Sequence, residues 1–279
     1  MVRSHLVGLA IYKMTGSGND FVMLDGRTTT PDDWTVDDIR AVCARGTGIG
    51  ADGLVFVTPS AAPGTVRMTY FNSDGSRAAM CGNAALCSTR LAALLELAPS
   101  TLMRLETDAA VYESRCPGGD GRAELHLAAV EGPREPAVKL AAGERRVGLA
   151  TVGVPHLVVV VEDLEALDLQ RRGRELRFDP AIGNGGANVN FVAPTARRSV
   201  WAMRTYERGI EGETLACGTG AVAACCMLRE WRLSDLPATI MTRSGLPLVV
   251  RAERSRNGQY EEVWLEGQAR IVFRGVLTS

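Results

Sequence analysis

The chain consists largely of short apolar runs that are rich in β-branched residues and are separated by polar turns. Glycine, proline and aspartate cluster between the runs, which is typical of strands joined by tight turns. We therefore predict strands over six segments: LVFVT, VRMTYF, HLVVVV, LVVRAE, EVWLEG and ARIVF.

Two segments depart from this pattern and predict helices. They are NAALCSTRLAALLEL, residues 83–97, and TGAVAACCMLRE, residues 219–230. Both are apolar on nearly every side, whereas a surface helix carries one apolar stripe. We expect each helix to be buried, with sheet around it.

The two helices belong to a longer internal repeat. Each follows a Cys-Gly pair, and Cys81 and Cys217 are 136 positions apart. Three further pairs of landmarks lie at or near that offset: Gly50-Ala51-Asp52 with Gly186-Ala187-Asn188, Thr69-Tyr70 with Thr205-Tyr206, and, one residue out of register, Gly18-Asn19-Asp20 with Gly153-Val154-Pro155-His156. A period of this length indicates a duplicated domain and not a solenoid.

The repeat predicts two halves, residues 1–125 and 126–268. The junction is expected within residues 115–124 or 144–153, because both stretches separate the two sets of landmarks. Whether the final strand, about residues 269–279, returns to the first half is left open.

The net charge and the number and spacing of the cysteines make several classes of function unexpected for this chain. A formal net charge of -1 gives no electrostatic reason to expect a nucleic acid or a membrane surface as a partner. Seven cysteines without a Cys-x-x-Cys pair, and only three histidines, argue against a disulfide framework or a metal site. No apolar stretch nears the roughly 20 residues of a membrane span and no signal peptide is apparent, so we expect a cytoplasmic protein.

The two repeated cysteines are the strongest candidates for chemistry. A cysteine directly before a helix lies at unpaired N–H groups and at the positive end of the helix dipole, which favours its thiolate. Gly82 and Gly218 let a bound carboxylate approach these N–H groups. A single such cysteine is more often a packing residue, but two in duplicated settings favour catalysis. The remaining thiols on the helices, Cys87, Cys225 and Cys226, are interpreted as packing residues.

Two thiols on opposite faces of one carbon could invert a stereocentre. One thiolate would remove a proton while the opposing thiol returned one to the other face, with the helix N–H groups stabilising the charge that develops. No motif for a metal or an electron-sink cofactor is present, so no cofactor is expected.

Six motifs resemble, in order, those of the diaminopimelate epimerases, which are pyridoxal-phosphate-independent amino-acid racemases. The motifs are KMTGSGNDFVMLD, GIGADGLVFV, FNSDGSRAAMCGN, GVPH, ANVNFV and YERGIEGETLACGTGA. The resemblance runs from about residue 11 to the C-terminus. It implies a mixed α/β fold of two pseudo-symmetric domains, each a curled mixed sheet around a central buried helix, with the active site in the cleft between them. It also implies interconversion of LL- and meso-2,6-diaminopimelate, a step toward lysine and peptidoglycan.

The resemblance also assigns roles to individual residues. Cys81 and Cys217 correspond to the two catalytic bases, and His156 and Glu207 stand where the family places side chains that tune the thiols. The residues that correspond to the holders of the reacting carboxylate are Gly82, Asn83, Gly218 and Thr219. Those that correspond to the polar ring around the far amino-acid end are Asn19, Asn72, Asn188, Glu207 and Arg208.

Physical chemistry supports part of this assignment. Arg208 can form two hydrogen bonds to a carboxylate, and Glu207 can pair with an ammonium group. Without the resemblance, His156 would more often be a structural histidine. Asn19 and Asn72 stand in turns, where asparagine is common for conformational reasons.

The chain departs from the family pattern at several positions. Val154 replaces a substrate-contacting Asn of the usual Gly-Asn-Pro-His, and Gly53 replaces a Gln of some members. Ala84 and Leu86 differ from the common Cys-Gly-Asn-Gly-Ala-Arg-Cys, and one additional residue lies between Gly209 and Glu213. Neither cysteine is affected, so the departures leave the inversion chemistry intact, and Val154 bears on the choice of substrate.

Three alternatives remain open from the sequence. The first is a racemase of the same fold that acts on another amino acid, such as histidine or proline. The second is a non-catalytic amino-acid-binding protein, and the third a redox protein using a Cys81–Cys217 disulfide. We expect a small-molecule amino-acid substrate as the partner, and a homodimer is an open possibility.

Overall fold

The chain forms two compact units in the computed structural model, which describes residues 3–118 and 121–278. The first unit comprises Met1–Leu125 and Glu266–Ser279, and the second comprises His126–Leu265. Two residues of the expected junction, at positions 119 and 120, lie outside the described residues.

Strands are the predominant secondary structure of both units. The strands before residue 128 are β1 (Ala10–Gly16), β2 (Asn19–Asp25), β3 (Gly53–Pro59), β4 (Thr65–Asn72), β5 (Arg77–Ala78), β6 (Met103–Glu106), β7 (Val111–Arg115) and β8 (Arg122–Leu127). The others are β9 (Glu144–Val152), β10 (Val154–Val161), β11 (Asn188–Pro194), β12 (Val200–Glu207), β13 (Gly212–Thr214), β14 (Ala238–Met241), β15 (Pro247–Arg254), β16 (Tyr260–Gln268) and β17 (Arg270–Val276). All six strand segments predicted from the sequence are confirmed.

The helices are α1 (Val36–Cys43), α2 (Gly82–Leu94), α3 (Leu169–Arg177) and α4 (Gly218–Glu230), with short 3₁₀ helices at Ser4–Leu6 and Pro31–Asp33. The predictions of α2 and α4 are confirmed. The helices α1 and α3 were not predicted from the sequence. Both are short, and side chains cap them: Thr35 Oγ1 accepts the Asp38 N–H at the start of α1, and Asp168 Oδ1 accepts the Arg171 N–H at the start of α3.

The same strand order is found in each unit. In the first unit β1 pairs with β17 and β2, β2 is parallel to β3, β3 is antiparallel to β4, and β4 pairs with both β5 and β6. In the second unit β9 pairs with β10, β10 is parallel to β11, β11 is antiparallel to β12, and β12 pairs with both β13 and β14. The duplication inferred from the sequence is therefore present in the topology.

The strand registers correct the alignment of the two halves. Leu54 pairs with Phe71 in the first unit, and Val189 pairs with Tyr206 in the second, so the strands correspond at an offset of 135. The helices α2 and α4 correspond at 136. The sequence analysis aligned Tyr70 with Tyr206, which is wrong by one residue. The additional residue lies in the turn between β12 and β13.

The central strands β3 and β11 are buried on both faces, because a helix packs on either side. In the first unit Leu54 and Phe56 of β3 lie in one core cluster with Ile39 and Val42 of α1. Strand side chains alternate between faces, so Val55 faces the opposite side, where α2 packs against β3. In the second unit Val189 and Phe191 lie in the cluster with Leu169 and Leu176 of α3. Asn190 and His156 therefore face α4.

Candidate active site

Cys81 and Cys217 occupy the N-cap positions of α2 and α4. Both have extended backbones, with φ of -143° and -132°, and neither sulfur caps its own helix. Cys81 is half-buried, and Cys217 is 8% exposed. The first backbone N–H groups of each helix have no acceptor within the helix. Each sulfur therefore lies beside a set of donors that suits a carboxylate.

The other thiols on these helices have the character of packing residues. Burial raises the pKa of Cys87 and of Cys225 well above the ordinary value, and it raises the pKa of Cys226 to about 12. A thiol with so high a pKa is a poor base near neutral pH.

A chain of amides connects the start of α2 to the start of β2. Asn19 donates from Nδ2 to a carboxylate oxygen of Asp52 at 2.9 Å, so its Oδ1 is the atom that faces Asn83. The Nδ2 of Asn83 donates to Asn19 Oδ1 at 2.6 Å. The remaining Oδ1 of Asn83 is buried and has no hydrogen-bond partner among the described residues. The start of α2 therefore offers one unpaired acceptor beside Cys81.

A charged cluster holds this amide chain in place. Lys13 donates to Asp20 at 2.6 Å and to the carbonyl of Gly50, and Arg45 bridges Asp20 and Asp52 at 2.6 and 2.8 Å. Although burial opposes the charged form of Asp20, its hydrogen bonds to Arg45 and Lys13 lower its pKa. Asp52, Lys13 and Arg45 were not among the site residues predicted from the sequence. Their acid-base pairing was recognisable only in three dimensions.

Asn72 lies at the end of β4 on the same sheet edge. Gly53 is paired with Phe21 on one side and with Asn72 on the other, so the start of β2 and the end of β4 are neighbours across β3. Asn72 accepts from the Tyr70 hydroxyl at 3.0 Å and donates to Ser76 at 3.0 Å. These contacts close the turn after β4, and a role of Asn72 in binding stays a prediction.

In the second unit Asn188 and Arg208 are in direct contact. The backbone N–H of Arg208 donates to Asn188 Oδ1 at 2.7 Å. Burial lowers the pKa of the His156 imidazole, and the charge of the Arg208 guanidinium lowers it further. His156 pairs in register with Asn188 near the starts of β10 and β11. Three predicted residues, His156, Asn188 and Arg208, are therefore brought together in this unit.

Arg177 at the end of α3 anchors the turn that carries Arg208. Its Nε contacts Glu211 at 3.3 Å, and its Nη1 donates to the carbonyl of Gly185 at 3.0 Å, just before Asn188. Glu211, with φ of 54°, also accepts the N–H of Gly209 at 3.0 Å. The turn that contains the additional residue is therefore held in place by these hydrogen bonds. Arg177 was missed from the sequence because α3 was missed.

Glu207 and Thr219 complete the predicted set in this unit. Burial raises the pKa of Glu207, which favours its protonated form relative to an exposed carboxyl group. The Thr219 hydroxyl lies 3.7 Å from the Cys217 sulfur. Val154 begins β10, two residues before His156, and is half-buried.

His156 is completely buried and neutral. Burial, followed by the charge of Arg208, lowers its pKa from 6.5 to about 3. Its Nδ1 lies 3.3 Å from the Nδ2 of Asn190, and its Nε2 has no partner among the described residues. Asn190 was not predicted as a site residue.

We expect His156 to make the protein sensitive to acid. Below pH 6.5 the unfolded chain binds a proton at this histidine that the folded chain does not bind until about pH 3. The contribution of His156 to stability is therefore complete above pH 6.5 and is lost as the pH falls, by about 1.4 kcal/mol per pH unit. Urea unfolding at pH 6.0 and 5.0 should show that His156→Phe loses about 1.4 kcal/mol less than the wild type.

The neighbouring Leu157, which is buried and carries no titratable group, provides the control. Leu157→Val should follow the wild-type pH dependence. A His156→Phe variant that loses as much free energy of unfolding as the wild type between these two pH values would contradict the prediction.

No helix within residues 3–118 and 121–278 is both long enough and apolar enough to span a membrane. In the same part of the chain, His, Cys, Asp and Glu side chains form no group of three or more that could hold a metal ion.

The fold is shared with several solved structures. A hydroxyproline epimerase from Agrobacterium vitis matches with a TM-score of 0.66 and 17% identity, covering 96% of this chain and 91% of that one. A phenazine biosynthesis protein of the PhzF family from Bacillus anthracis matches with a TM-score of 0.73 and 13% identity, covering 97% and 99%. A probable proline racemase from Agrobacterium radiobacter has a TM-score of 0.67 and 15% identity, covering 97% and 93%. The fold class is therefore the mixed α/β fold of the racemases and epimerases.

Sequence comparison identifies the family within this class. The family model described as diaminopimelate epimerase matches residues 11–120 and 148–271. Curated diaminopimelate epimerases are 46% identical in Gemmatimonas aurantiaca, over 97% of this chain and all of the relative, and 36% identical in Aquifex aeolicus, over 97% and 98%. The chain belongs to the diaminopimelate epimerase family, which is a family of isomerases.

Proposed function

We propose that the protein interconverts LL- and meso-2,6-diaminopimelate by a two-base proton transfer that needs no cofactor. The observation that carries the proposal is the placement of Cys81 and Cys217 at the N-caps of two duplicated, buried helices. Each thiol acts on one face of the α-carbon. The thiolate on one face removes the α-proton, and the thiol on the other face returns a proton, so the stereocentre is inverted.

The reacting carboxylate binds to the N–H groups at the helix starts, at Gly82-Asn83 and Gly218-Thr219. Negative charge moves onto this carboxylate when the α-proton leaves, and the helix N–H groups and dipoles are already oriented to stabilise it. The unpaired Oδ1 of Asn83 is an acceptor suited to the substrate ammonium group. The substrate thus supplies partners for the polar groups at the start of α2.

The far amino-acid end binds to Asn19, Asn72, Asn188, Glu207 and Arg208. The contact between Arg208 and Asn188, and the anchoring of their turns by Arg177, support a preformed receptor for a second carboxylate. Val154 stands in place of a family Asn, and it supports a second candidate: a racemase of the same fold that acts on another amino acid. Activity on a panel of amino acids separates the two.

The first experiment is a turnover assay with LL-diaminopimelate and a panel of L-amino acids, in heavy water. Two bases predict that the earliest product carries deuterium at the inverted carbon while the recovered substrate stays largely unlabelled. A single base that served both faces would return the original proton or label both pools equally. Faster turnover of another amino acid would favour the second candidate.

Three further expectations are part of this proposal. The protein is cytoplasmic, its partner is a small amino-acid substrate, and a homodimer remains a prediction. Sedimentation equilibrium of the purified chain measures the oligomeric state directly, and fractionation of the source cells measures the location.

We expect Asp52 to act through the amides it orients. Asp52→Asn replaces the anionic acceptor of Asn19 with a neutral amide that can present either an oxygen or a nitrogen, so the orientations of Asn19 and Asn83 are no longer fixed. Loss of the charged hydrogen bond should lower kcat/KM by about tenfold or more. Asp37→Asn, at a side chain that is 92% exposed, is the control and should leave kcat/KM unchanged. Equal kinetics for both variants would show that Asp52 has no part in binding.

A further inference from the structure

A buried hydrogen-bond network surrounds His156 on the face of the sheet that packs against α4. Asn190 Nδ2 lies 3.3 Å from His156 Nδ1 and 3.3 Å from the carbonyl oxygen of Leu157. Thr205 Oγ1 lies 3.0 Å from Asn190 Oδ1. His156 and Asn190 are 0% exposed, and Thr205 is 2% exposed.

The Leu157 carbonyl determines the orientation of the Asn190 amide. A carbonyl oxygen only accepts hydrogen bonds, so the amide nitrogen, and not the amide oxygen, must face it. Asn190 Oδ1 then accepts the Thr205 hydroxyl, and the second hydrogen of Nδ2 points at His156 Nδ1. A nitrogen that receives this hydrogen bond carries no proton of its own.

We propose that Asn190 is a positioning residue that keeps the proton of His156 on Nε2. His156 then acts as a fixed hydrogen-bond donor and not as a proton-accepting base. Its Nδ1 lone pair is engaged by Asn190, and its Nε2 already holds a proton. Nε2 has no acceptor among the described residues, so the donor is available to a group that arrives with the ligand.

The first unit shows that the fold does not require this network. At the offset of 135, His156, Asn190 and Thr205 correspond to Phe21, Val55 and Tyr70. There Phe21 and Tyr70 pack edge to face, with ring centroids 6.0 Å apart, and Val55 is fully buried. The same topology is thus built with two aromatic rings and an aliphatic side chain in place of the histidine, the amide and the hydroxyl. Because a buried polar network gains little over apolar packing, its presence in one unit alone points to a role at the site.

The network reaches the first turn of α4, which Cys217 begins. A methyl group at Gly220 would collide with Asn190 Oδ1 and would lie 3.1 Å from the Cys217 sulfur. The absence of a side chain at Gly220 therefore lets the Asn190 amide lie against the helix start. The corresponding residue of α2 is Ala84, where no amide has to be accommodated.

Nitrogen-15 NMR of histidine-labelled protein tests the tautomer directly. The chain has three histidines, so the double variant His5→Gln/His126→Gln leaves only the His156 signals. At pH 7 we expect Nε2 to give the signal of a protonated ring nitrogen and Nδ1 that of an unprotonated one. A proton on Nδ1, or on both nitrogens, would overturn the proposal.

Two variants in this background test whether Asn190 sets the tautomer. Asn190→Asp replaces the donor with a carboxylate that only accepts, so the proton should move to Nδ1. Asn190→Val, which copies Val55 of the first unit, should leave both tautomers populated. If Asn190→Asp does not fold, Asn190→Val decides. An unchanged Nε2 proton in the folded Asn190→Val variant would show that Asn190 does not position His156.

The kinetic part of this inference rests on the proposed function. With diaminopimelate, Asn190→Val should lower kcat about tenfold and leave KM nearly unchanged, because Asn190 acts through His156. Asn257→Val, in an exposed turn, is the control and should retain wild-type kinetics. Wild-type kcat in Asn190→Val would refute the positioning role. Absence of any epimerase activity in the wild type would refute the proposed function, and the NMR result would still decide the tautomer.

Discussion

Replacement of either Cys81 or Cys217 by alanine is expected to abolish measurable epimerisation. In the proposed mechanism each thiol serves one face of the substrate carbon, so removal of one leaves the reaction without either its acid or its base. The loss should be at least the roughly 10² to 10⁴-fold typical of a general acid or base. Chiral chromatography measures this loss, from the rates of conversion of LL- to meso-diaminopimelate and of meso- to LL-diaminopimelate.

Cys116→Ala is the matched control for this experiment. Cys116 is a buried thiol of the first unit whose pKa is raised by burial, and it lies outside the helix starts. This variant should retain wild-type rates. Near-normal turnover in Cys81→Ala or in Cys217→Ala would show that one thiol suffices, and the two-base mechanism would then be wrong.

L-Lysine is expected to be turned over at least about 10⁴-fold less efficiently than LL-diaminopimelate. L-Lysine lacks the far carboxylate, so in the proposed receptor its binding would leave the partly buried Arg208 guanidinium without a partner. A site built to bond a substrate group rejects the analogue that lacks it by about 10⁴ to 10⁵. The ratio of kcat/KM for the two substrates measures this discrimination.

Arg208→Leu tests whether Arg208 is the source of that discrimination. The variant should lose turnover of LL-diaminopimelate while the small activity on L-lysine changes much less, so the ratio falls. Arg198→Leu, at a side chain that is 92% exposed, should keep the wild-type ratio. Comparable kcat/KM for L-lysine and LL-diaminopimelate in the wild type would favour a racemase of broader substrate range.

The sequence by itself determined the local features of this protein. The apolar runs predicted six strands, and the all-apolar segments after Cys81 and Cys217 predicted two buried helices. These features depend on residues that are neighbours along the chain, so a pattern of residue types is enough to find them. The repeated Cys-Gly motif likewise placed both thiols at helix starts.

Short polar helices could not be predicted from the pattern of apolar residues. The helix α3 contains only two apolar residues in LQRRGRELR, so it has no extended apolar pattern, and its Arg177 could not be assigned a role. Its importance comes from contacts with Gly185 and Glu211, which lie on two different turns. Those contacts exist only after the sheet has formed.

Tertiary structure also decided the register of the repeat and the chemistry of the buried polar groups. The offset of 135 follows from strand pairing, because a shift of one residue turns a strand side chain to the opposite face. The same pairing brings Asn190 to His156, and the chain fold brings Asp52 to Asn19. Asparagine and histidine can each present a donor or an acceptor, and the partner that folding places beside them determines which one they present.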